Sequence, residues 1–210
     1  MFAIALWDRE ARELSLARDR FGEKPLYYGW LGRTFAFASE LKALRAHPGF
    51  ENPISRESLT QYFRYMYVPA PRSIYENIFK LEPGCVLEMD CNERTSVPDE
   101  PIRPPDSFGN ISIRRWWSLA DVVETGAQAP FSDVNEGFEA LETRLDDAVK
   151  SQLLADVPLG AFLTGGVDSS AIVAIMQRQV SRPVRTFTVG FEEAGFDESS
   201  HARAVARHLG

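Results

Sequence analysis

The residues best suited to chemistry lie in one short stretch, Thr164 to Ser170, which reads TGGVDSS. An apolar run precedes it and another follows it, which predicts a loop between a strand and a helix. Adjacent glycines let backbone N–H groups approach an anion closely, and a helix N-terminus adds partial positive charge. The hydroxyls of Thr164, Ser169 and Ser170 can donate hydrogen bonds to phosphate oxygens. The stretch therefore predicts a phosphate site.

Asp168 separates this loop from two other phosphate loops. A P-loop requires a lysine after its second glycine, and a dinucleotide loop requires three spaced glycines, whereas Gly165 and Gly166 are adjacent and alone. Because a carboxylate repels a bare phosphate, Asp168 makes sense with a cation between them, and Mg²⁺ is the expected cation. The alternative is ordinary turn chemistry, in which Asp168 and the serines cap a helix after a Gly-Gly turn.

The elements around this loop predict a parallel sheet. Apolar residues recur every three or four positions from Val134 to Leu154, which predicts an amphipathic helix with Asp133 as its N-cap. A strand (VPLGAFL), the loop, a helix (SSAIVAIMQRQV), a strand (PVRTFTV) and a helix (ESSHARAVARHL) follow. Alternation of this kind is typical of a parallel α/β sheet.

Residues 1–91 show a different, β-rich pattern. MFAIALW is apolar on both faces, which predicts a fully buried strand, and ELSLAR, PLYYGWL, TFAFAS and CVLEMD predict further strands. Two short helices are expected in ELKALRA and SLTQYFRYMY, the second capped by Ser55. Prolines and charges then dominate, so we predict a linker or insertion over residues 92–115 and a second domain over 116–210.

The composition narrows the class of partner. The 210 residues carry a formal net charge of −7 and no basic run, which argues against nucleic-acid binding. The two cysteines, Cys85 and Cys91, are too few for a disulfide framework or a zinc cluster. No apolar run approaches the ~20 residues of a membrane span, and no basic signal region opens the chain. We therefore expect a cytoplasmic protein with no membrane partner.

Several motifs resemble one family. TGGVDSS resembles the SGGxDSS pyrophosphate loop of the N-type ATP pyrophosphatases, with Thr164 in place of the usual serine. More closely, DVPLGAFLTGGVDSSAIVA and FDESSHARAVARHLG are similar to the synthetase domain of glutamine-hydrolysing asparagine synthetases. MFAIALWD, ARDRFGEKPLYYG and FAFASELKAL resemble the rear part of their glutaminase domain, and LEPGCVLEMD with RRWW resembles the connection. The resemblance covers nearly the whole chain.

The resemblance implies a fold and an activity. Residues 1–91 would be the antiparallel, β-rich rear part of an N-terminal-nucleophile glutaminase domain, also called a type 2 glutamine amidotransferase. Residues 116–210 would start a Rossmann-like parallel α/β ATP pyrophosphatase domain. The family makes asparagine from aspartate, glutamine and ATP through β-aspartyl-AMP, releasing AMP and pyrophosphate. ATP and Mg²⁺ are therefore the expected cofactors, and the family often forms homodimers.

The resemblance also implies roles for individual residues. The pyrophosphate loop corresponds to Thr164, Gly165, Gly166, Asp168, Ser169 and Ser170, with Asp168 binding Mg²⁺-pyrophosphate. Leu163 and Val189 match backbone positions that hold the adenine. Asp19 matches the acid that binds the amino group of glutamine.

For three of the acidic positions a structural alternative stays open. Asp19 can instead be a loop carboxylate paired with Arg18 or Arg20. Asp197 and Glu198 resemble a family motif, but helix capping explains them about as well. Glu40 and Lys42 are interpreted as structural residues.

The chain departs from the family at the glutaminase nucleophile, an N-terminal cysteine. Residue 2 is Phe2, and Cys85 and Cys91 are poor substitutes. We therefore expect a fragment that, by itself, hydrolyses no glutamine and makes no asparagine. Two other functions stay open: amidation of a carboxylate other than aspartate, and a non-catalytic module that has lost its nucleophile.

Overall fold

The chain folds into two compact units, Met1–Ala129 and Pro130–Gly210. The structure, a computed structural model, describes residues 1–93, 96–193, 195 and 197–210. The predicted limits at residues 91 and 116 both fall inside the first unit. The assignment of the units to two family domains with those limits stays a prediction.

The first unit contains two antiparallel sheets. Its strands are β1 Ala3–Asp8, β2 Glu13–Arg18, β3 Tyr27–Leu31, β4 Thr34–Ala38, β5 Ile78–Lys80, β6 Cys85–Asp90, β7 Asp106–Phe108 and β8 Ile111–Arg115. The larger sheet has the order β1-β2-β6-β8-β7, and the smaller one has the order β4-β3-β5. The antiparallel, β-rich character predicted for this part of the chain is confirmed.

Side-chain alternation places the core of this unit between the two sheets. On β6, Cys85 and Leu87 are buried while their neighbours are partly exposed. Tyr28 and Trp30 lie two residues apart on β3 and therefore share a face. These residues form one buried cluster together with Ile113 of β8, so the sheets pack face to face.

The prediction of a fully buried first strand is wrong. Strand β1 is an edge strand, so Leu6 is 61% exposed rather than buried. Residues 92–115, predicted as a linker or insertion, contain β7 and β8, which extend the larger sheet beyond β6. Their pairing follows from alternation, because Ile111 and Ile113 both turn towards the core.

The helices of the first unit are α1 Leu41–Arg45, α2 Arg56–Tyr65 and α3 Leu119–Gln128. The predicted cap of α2 is confirmed, because Ser55 Oγ accepts the N–H of Ser58 at 3.3 Å. The helix ends at Met66, whose φ of 63° is left-handed, before the prolines expected to stop it. Helix α3 was not predicted. No helix in the described part of the chain is long and apolar enough to cross a membrane.

The second unit alternates helices and strands: α4 Val134–Gln152, β9 Gly160–Phe162, α5 Val167–Gln179, β10 Arg185–Phe187 and α6 Ser199–Leu209. The predicted cap of α4 is confirmed, since Asp133 Oδ1 accepts two backbone N–H groups. β9 and β10 pair in parallel, with Ala161 opposite Thr186. Their carboxyl ends therefore lie at the same edge, where Leu163 packs into a small core with Val173 and Ala202.

Candidate functional site

The TGGVDSS loop connects the carboxyl end of β9 to the N-terminus of α5. Gly166 is the N-cap, so the helix begins at Val167, two residues earlier than predicted. The first helical hydrogen bond runs from Ser170 N–H to Gly166 O at 3.1 Å. The N–H groups of residues 167, 168 and 169 therefore have no acceptor in the helix, as at any helix start. No other described residue accepts them.

The two glycines of the loop have different reasons to be glycine. Gly165 has φ +85°, and a Cβ there would lie 2.7 Å from His201 Cβ and 2.8 Å from Ala202 N. The first turn of α6 therefore requires this glycine. Gly166 has φ −71°, and a Cβ there would meet, among the described atoms, Thr164 Oγ1 at an ordinary 3.5 Å. Gly is also a favourable N-cap residue and Ala is not, so the N-cap position favours a glycine at 166, although neither packing nor a left-handed φ requires one.

The three hydroxyls hold the loop in shape. Ser170 Oγ donates to Gly166 O at 2.7 Å, so its proton is already used. Thr164 Oγ1 and Ser169 Oγ lie 3.0 Å apart, and Ser169 Oγ also accepts Thr164 N–H at 3.2 Å. Ser169 Oγ also lies 3.3 Å from Gly166 O, to which it can donate its single proton, and Thr164 then donates the shared bond. The hydroxyl protons of the loop are thus engaged within it, and a phosphate would have to replace one of these bonds to receive a hydroxyl donor.

Asp168 lies exposed in the first turn of α5. It forms no hydrogen bond or ion pair with any residue that the structure describes. Across the described residues, no cluster of three or more His, Cys, Asp or Glu side chains could hold a metal ion. Among the described residues, a cation at Asp168 would thus lack a set of further His, Cys, Asp or Glu ligands. This donor set fits Mg²⁺, which commonly binds one or two carboxylates together with substrate phosphates.

Leu163 and Val189 follow the carboxyl ends of the two parallel strands, next to the loop. Leu163 N–H donates to Phe187 O at 2.9 Å, and Leu163 O accepts the hydroxyl of Thr188 at 2.7 Å. Leu163 therefore keeps one carbonyl lone pair for a ligand and no donor. Val189 is 63% exposed, and its backbone groups have no partner among the described residues. The structure thus brings both predicted adenine positions to one edge, with Val189 as the free donor.

Thr188 and the first turn of α6 are parts of this site that the sequence interpretation missed. Thr188 carries a signal, since it lies near the end of a predicted strand, at the edge where parallel sheets bind ligands. The contact of Gly165 with His201 has no such signal, because the residues are distant in sequence.

Asp197 makes local bonds just before α6: it accepts Ser199 N–H at 3.1 Å and Ser199 Oγ–H at 2.9 Å, which lowers its pKa. Glu198 is the N-cap of α6, and its side chain makes no capping hydrogen bond with a described residue.

Asp19 lies in the first unit, in a loop over residues 19–24, and is 4% exposed. Its Oδ1 accepts the N–H groups of Phe21 at 3.2 Å and Glu23 at 3.0 Å. Its Oδ2 accepts those of Phe2 at 3.2 Å and Lys24 at 3.0 Å. Its described partners are therefore backbone groups, rather than Arg18 or Arg20. A carboxylate has about four lone-pair sites, so this one has none left for an ammonium group.

The electrostatics of Asp19 follow from these bonds. Burial by itself raises the pKa of the carboxyl group, but the four N–H donors outweigh burial and hold the pKa below its usual value. Arg18 holds the same loop from the other side, donating to Gly22 O at 2.7 Å, Lys24 O at 3.0 Å and Leu81 O at 2.6 Å. The loop is thus fixed by a buried anion and a half-buried cation.

Neither cysteine has the properties of a nucleophile. Burial raises the pKa of the Cys85 thiol to about 11, and burial also raises the pKa of Cys91. The reactive form of cysteine is the thiolate, which a raised pKa suppresses. This agrees with the prediction that both are poor substitutes for a glutaminase cysteine.

Comparisons with known proteins identify two segments. Residues 1–99 match the family described as glutamine amidotransferase domain, and residues 140–210 match the asparagine synthase family. The chain therefore resembles these families in these two segments, which confirms the predicted resemblance.

Individual relatives agree with this assignment. A putative asparagine synthetase [glutamine-hydrolyzing] 2 of Methanocaldococcus jannaschii is 34% identical over 212 residues, covering 100% of this chain and 37% of the relative. A putative asparagine synthetase of Mycobacterium tuberculosis H37Rv is 35% identical, covering 100% of this chain and 30% of the relative. Asparagine synthetase 1 of Bacillus subtilis is 33% identical, covering 100% and 29%. The chain thus spans about a third of the length of these relatives.

Proposed function

We propose that this protein acts in glutamine-dependent asparagine synthesis and that its TGGVDSS loop binds the phosphates of ATP. The observation that carries the proposal is the set of N–H groups at residues 167–169 that no described residue accepts, next to Gly166, whose Cβ position is almost open. A glycine of this kind leaves room for close approach of a ligand to the backbone. The relatives named asparagine synthetase support aspartate as the acceptor.

In the proposed reaction, an oxygen of the aspartate side-chain carboxylate attacks the α-phosphorus of ATP. The bond from the α-phosphorus to the bridging oxygen breaks, and pyrophosphate leaves with the electron pair. Ammonia, derived from glutamine, then attacks the carbonyl carbon of β-aspartyl-AMP; AMP leaves, and one proton is released. The N–H groups of residues 167–169 would stabilise the negative charge that builds up on pyrophosphate.

Asp168 would hold Mg²⁺ in this site. When bound, the ion neutralises charge on the phosphate oxygens. The N–H and hydroxyl groups of the loop orient the phosphates, while Val189 N–H and Leu163 O receive the adenine. In this proposal β9, α5 and β10 are the start of the Rossmann-like sheet of an ATP pyrophosphatase domain.

For the glutamine half, we propose that Asp19 organises its loop. Its carboxylate can accept a hydrogen bond from the amino group of glutamine once one of the four backbone N–H groups stops donating to it, because this frees a lone pair. The proposal gives Cys85 and Cys91 no nucleophilic role, so glutamine hydrolysis is not assigned to any cysteine of this chain.

The test is ATP binding by Gly166→Ala, measured by isothermal titration calorimetry with Mg²⁺ present. We expect the methyl group to weaken binding at least about tenfold, while the poorer N-cap costs about 0.5 kcal/mol of stability. Gly126→Ala is the control, because no described atom lies within 4 Å of its Cβ position and α3 contributes no residue to the proposed site. Equal ATP affinity in both variants and the wild type would refute the phosphate role of the loop.

A further inference from the structure

The side chain of Thr188 has a fixed hydrogen-bonding polarity. It is exposed and directly follows β10, and its hydroxyl lies 2.7 Å from Leu163 O. Because a carbonyl oxygen carries no proton, Thr188 must be the donor in this bond. A threonine hydroxyl has a single proton, so the bond to Leu163 uses it completely.

Towards a ligand, this hydroxyl can therefore act as a hydrogen-bond acceptor but not as a donor. No residue in the described ranges donates a hydrogen bond to its oxygen, so its lone pairs are open. The neighbouring Leu163 offers the same polarity, since its N–H is bound to Phe187 O. The strand edge thus presents acceptors at Thr188 and Leu163, with one free backbone donor beside them at Val189.

We propose that Thr188 is a specificity-determining residue that makes the nucleotide site select adenine over hypoxanthine and guanine. The inference rests on the proposed function, because it assumes that the base lies at this edge. Adenine carries an amino group at C6, which can donate to the acceptors at Thr188 and Leu163. Its N1 is an acceptor, which suits the donor at Val189. Hypoxanthine and guanine carry an oxygen at C6 and a proton on N1. Their C6 oxygen, an acceptor, would then face the acceptor oxygens of Thr188 and Leu163.

A purely structural role makes a different prediction. If the hydroxyl serves just to tie the end of β10 to the end of β9, its removal loosens the site for every nucleotide alike. Affinities for different bases then fall by the same factor. The ratio of the affinities for two bases therefore distinguishes a role in specificity from a purely structural role.

The experiment compares binding of ATP and inosine triphosphate, which differ at C6 and N1 of the base. We expect the wild type to prefer ATP by about a hundredfold, the combined effect of Thr188 and of the backbone groups of Leu163 and Val189. Thr188→Val has nearly the same shape without the hydroxyl, and its preference should fall to about tenfold, which the backbone groups retain. Thr188→Ser should keep the wild-type ratio. Thr186→Val, on the same strand, is the matched control and should also keep it.

An unchanged ratio in Thr188→Val overturns the inference, even if both affinities fall. If that variant does not fold, Thr188→Ala, which also removes the hydroxyl, takes its place. A preference for ATP reduced by about tenfold supports the inference, and an unchanged preference contradicts it. Failure of the wild type to bind any of these nucleotides would instead refute the proposed function, and the inference with it.

Discussion

Two loops in this protein present an aspartate among backbone N–H groups, and they do so in opposite ways. In the loop over residues 19–24, Asp19 is buried and accepts four N–H groups. In the TGGVDSS loop, Asp168 is exposed and the N–H groups of residues 167–169 have no described acceptor.

The difference distinguishes an aspartate that stabilises its own loop, Asp19, from one whose carboxylate is accessible to a ligand, Asp168. The carboxylate of Asp19 satisfies donors that would otherwise be buried without partners, which is a structural contribution. Asp168 satisfies no described donor, so its presence is better explained by a cation that arrives with the phosphates. Substitutions in the two loops should therefore have opposite effects on stability and binding.

The largest effect on stability is expected at Gly165, where the TGGVDSS loop packs against the first turn of α6. Gly165→Ala combines a left-handed φ of +85° with overlap against α6, which should cost about 3 kcal/mol. Hydrogen exchange of the amides in α5 measures this loss locally. Gly166→Ala, one residue away, is the control and should change the same exchange by about 0.5 kcal/mol, the cost of a poorer N-cap. Equal losses at both positions would contradict the different roles of the two glycines.

The next largest effect is expected at Asp19. Asp19→Asn replaces an acceptor-only group by an amide whose NH₂ group faces backbone donors, so we expect a loss of about 2 kcal/mol. Urea unfolding followed by tryptophan fluorescence measures it, since Trp7, Trp30, Trp116 and Trp117 all belong to the first unit. Asp8→Asn is the control: Asp8 accepts two N–H groups in an exposed turn and should lose much less.

The contribution of Asp19 should depend on pH. Its pKa is lower in the folded protein than the unfolded value of about 3.9, so the stabilisation is fully present above that value. The difference in unfolding free energy between wild type and Asp19→Asn should stay constant from about pH 8 to about pH 5. It should then shrink as the pH falls through the folded pKa. A difference that grows on acidification would mean that the carboxylate is not stabilised by its loop.

The smallest effect on stability is expected at Asp168. Asp168→Asn removes an exposed charge from the first turn of a helix, which should change stability by about 0.5 kcal/mol or less. The same variant should weaken binding of pyrophosphate in the presence of Mg²⁺ and strengthen binding without Mg²⁺, because it removes a negative charge that repels the bare anion. Calorimetric titrations with and without the metal give both values. A loss of stability as large as that of Asp19→Asn would remove the contrast between the loops.

Much of the second unit could be predicted from sequence because its signals are local. Asp133 caps the helix it was expected to cap, and the strand-loop-helix order around TGGVDSS is as predicted. The loop residues were recognisable by type and spacing. Which glycine the fold requires was not, because that depends on the contact of Gly165 with His201.

The first unit shows why pattern reasoning fails at sheet edges. MFAIALW predicts a buried strand, but burial depends on what lies beside the strand, and β1 is the outermost strand of its sheet. The prolines between Cys91 and Ile113 suggested a linker, whereas the short alternation of Ile111 and Ile113 is enough to join the sheet. The four backbone donors around Asp19 could not be predicted either, because hydrogen bonds from backbone N–H groups do not depend on which side chains the donor residues carry.

The central claim is that the loop at residues 164–170 binds phosphate through its free backbone groups, whereas the Asp19 loop does not. Titrating the ¹⁵N-labelled protein with pyrophosphate and Mg²⁺ tests it most directly, with amide chemical shifts as the readout. We predict saturable shifts at Val167, Asp168 and Ser169 and none at Phe21, Glu23 or Lys24. Unchanged amide shifts at residues 167–169 under saturating pyrophosphate would contradict the claim.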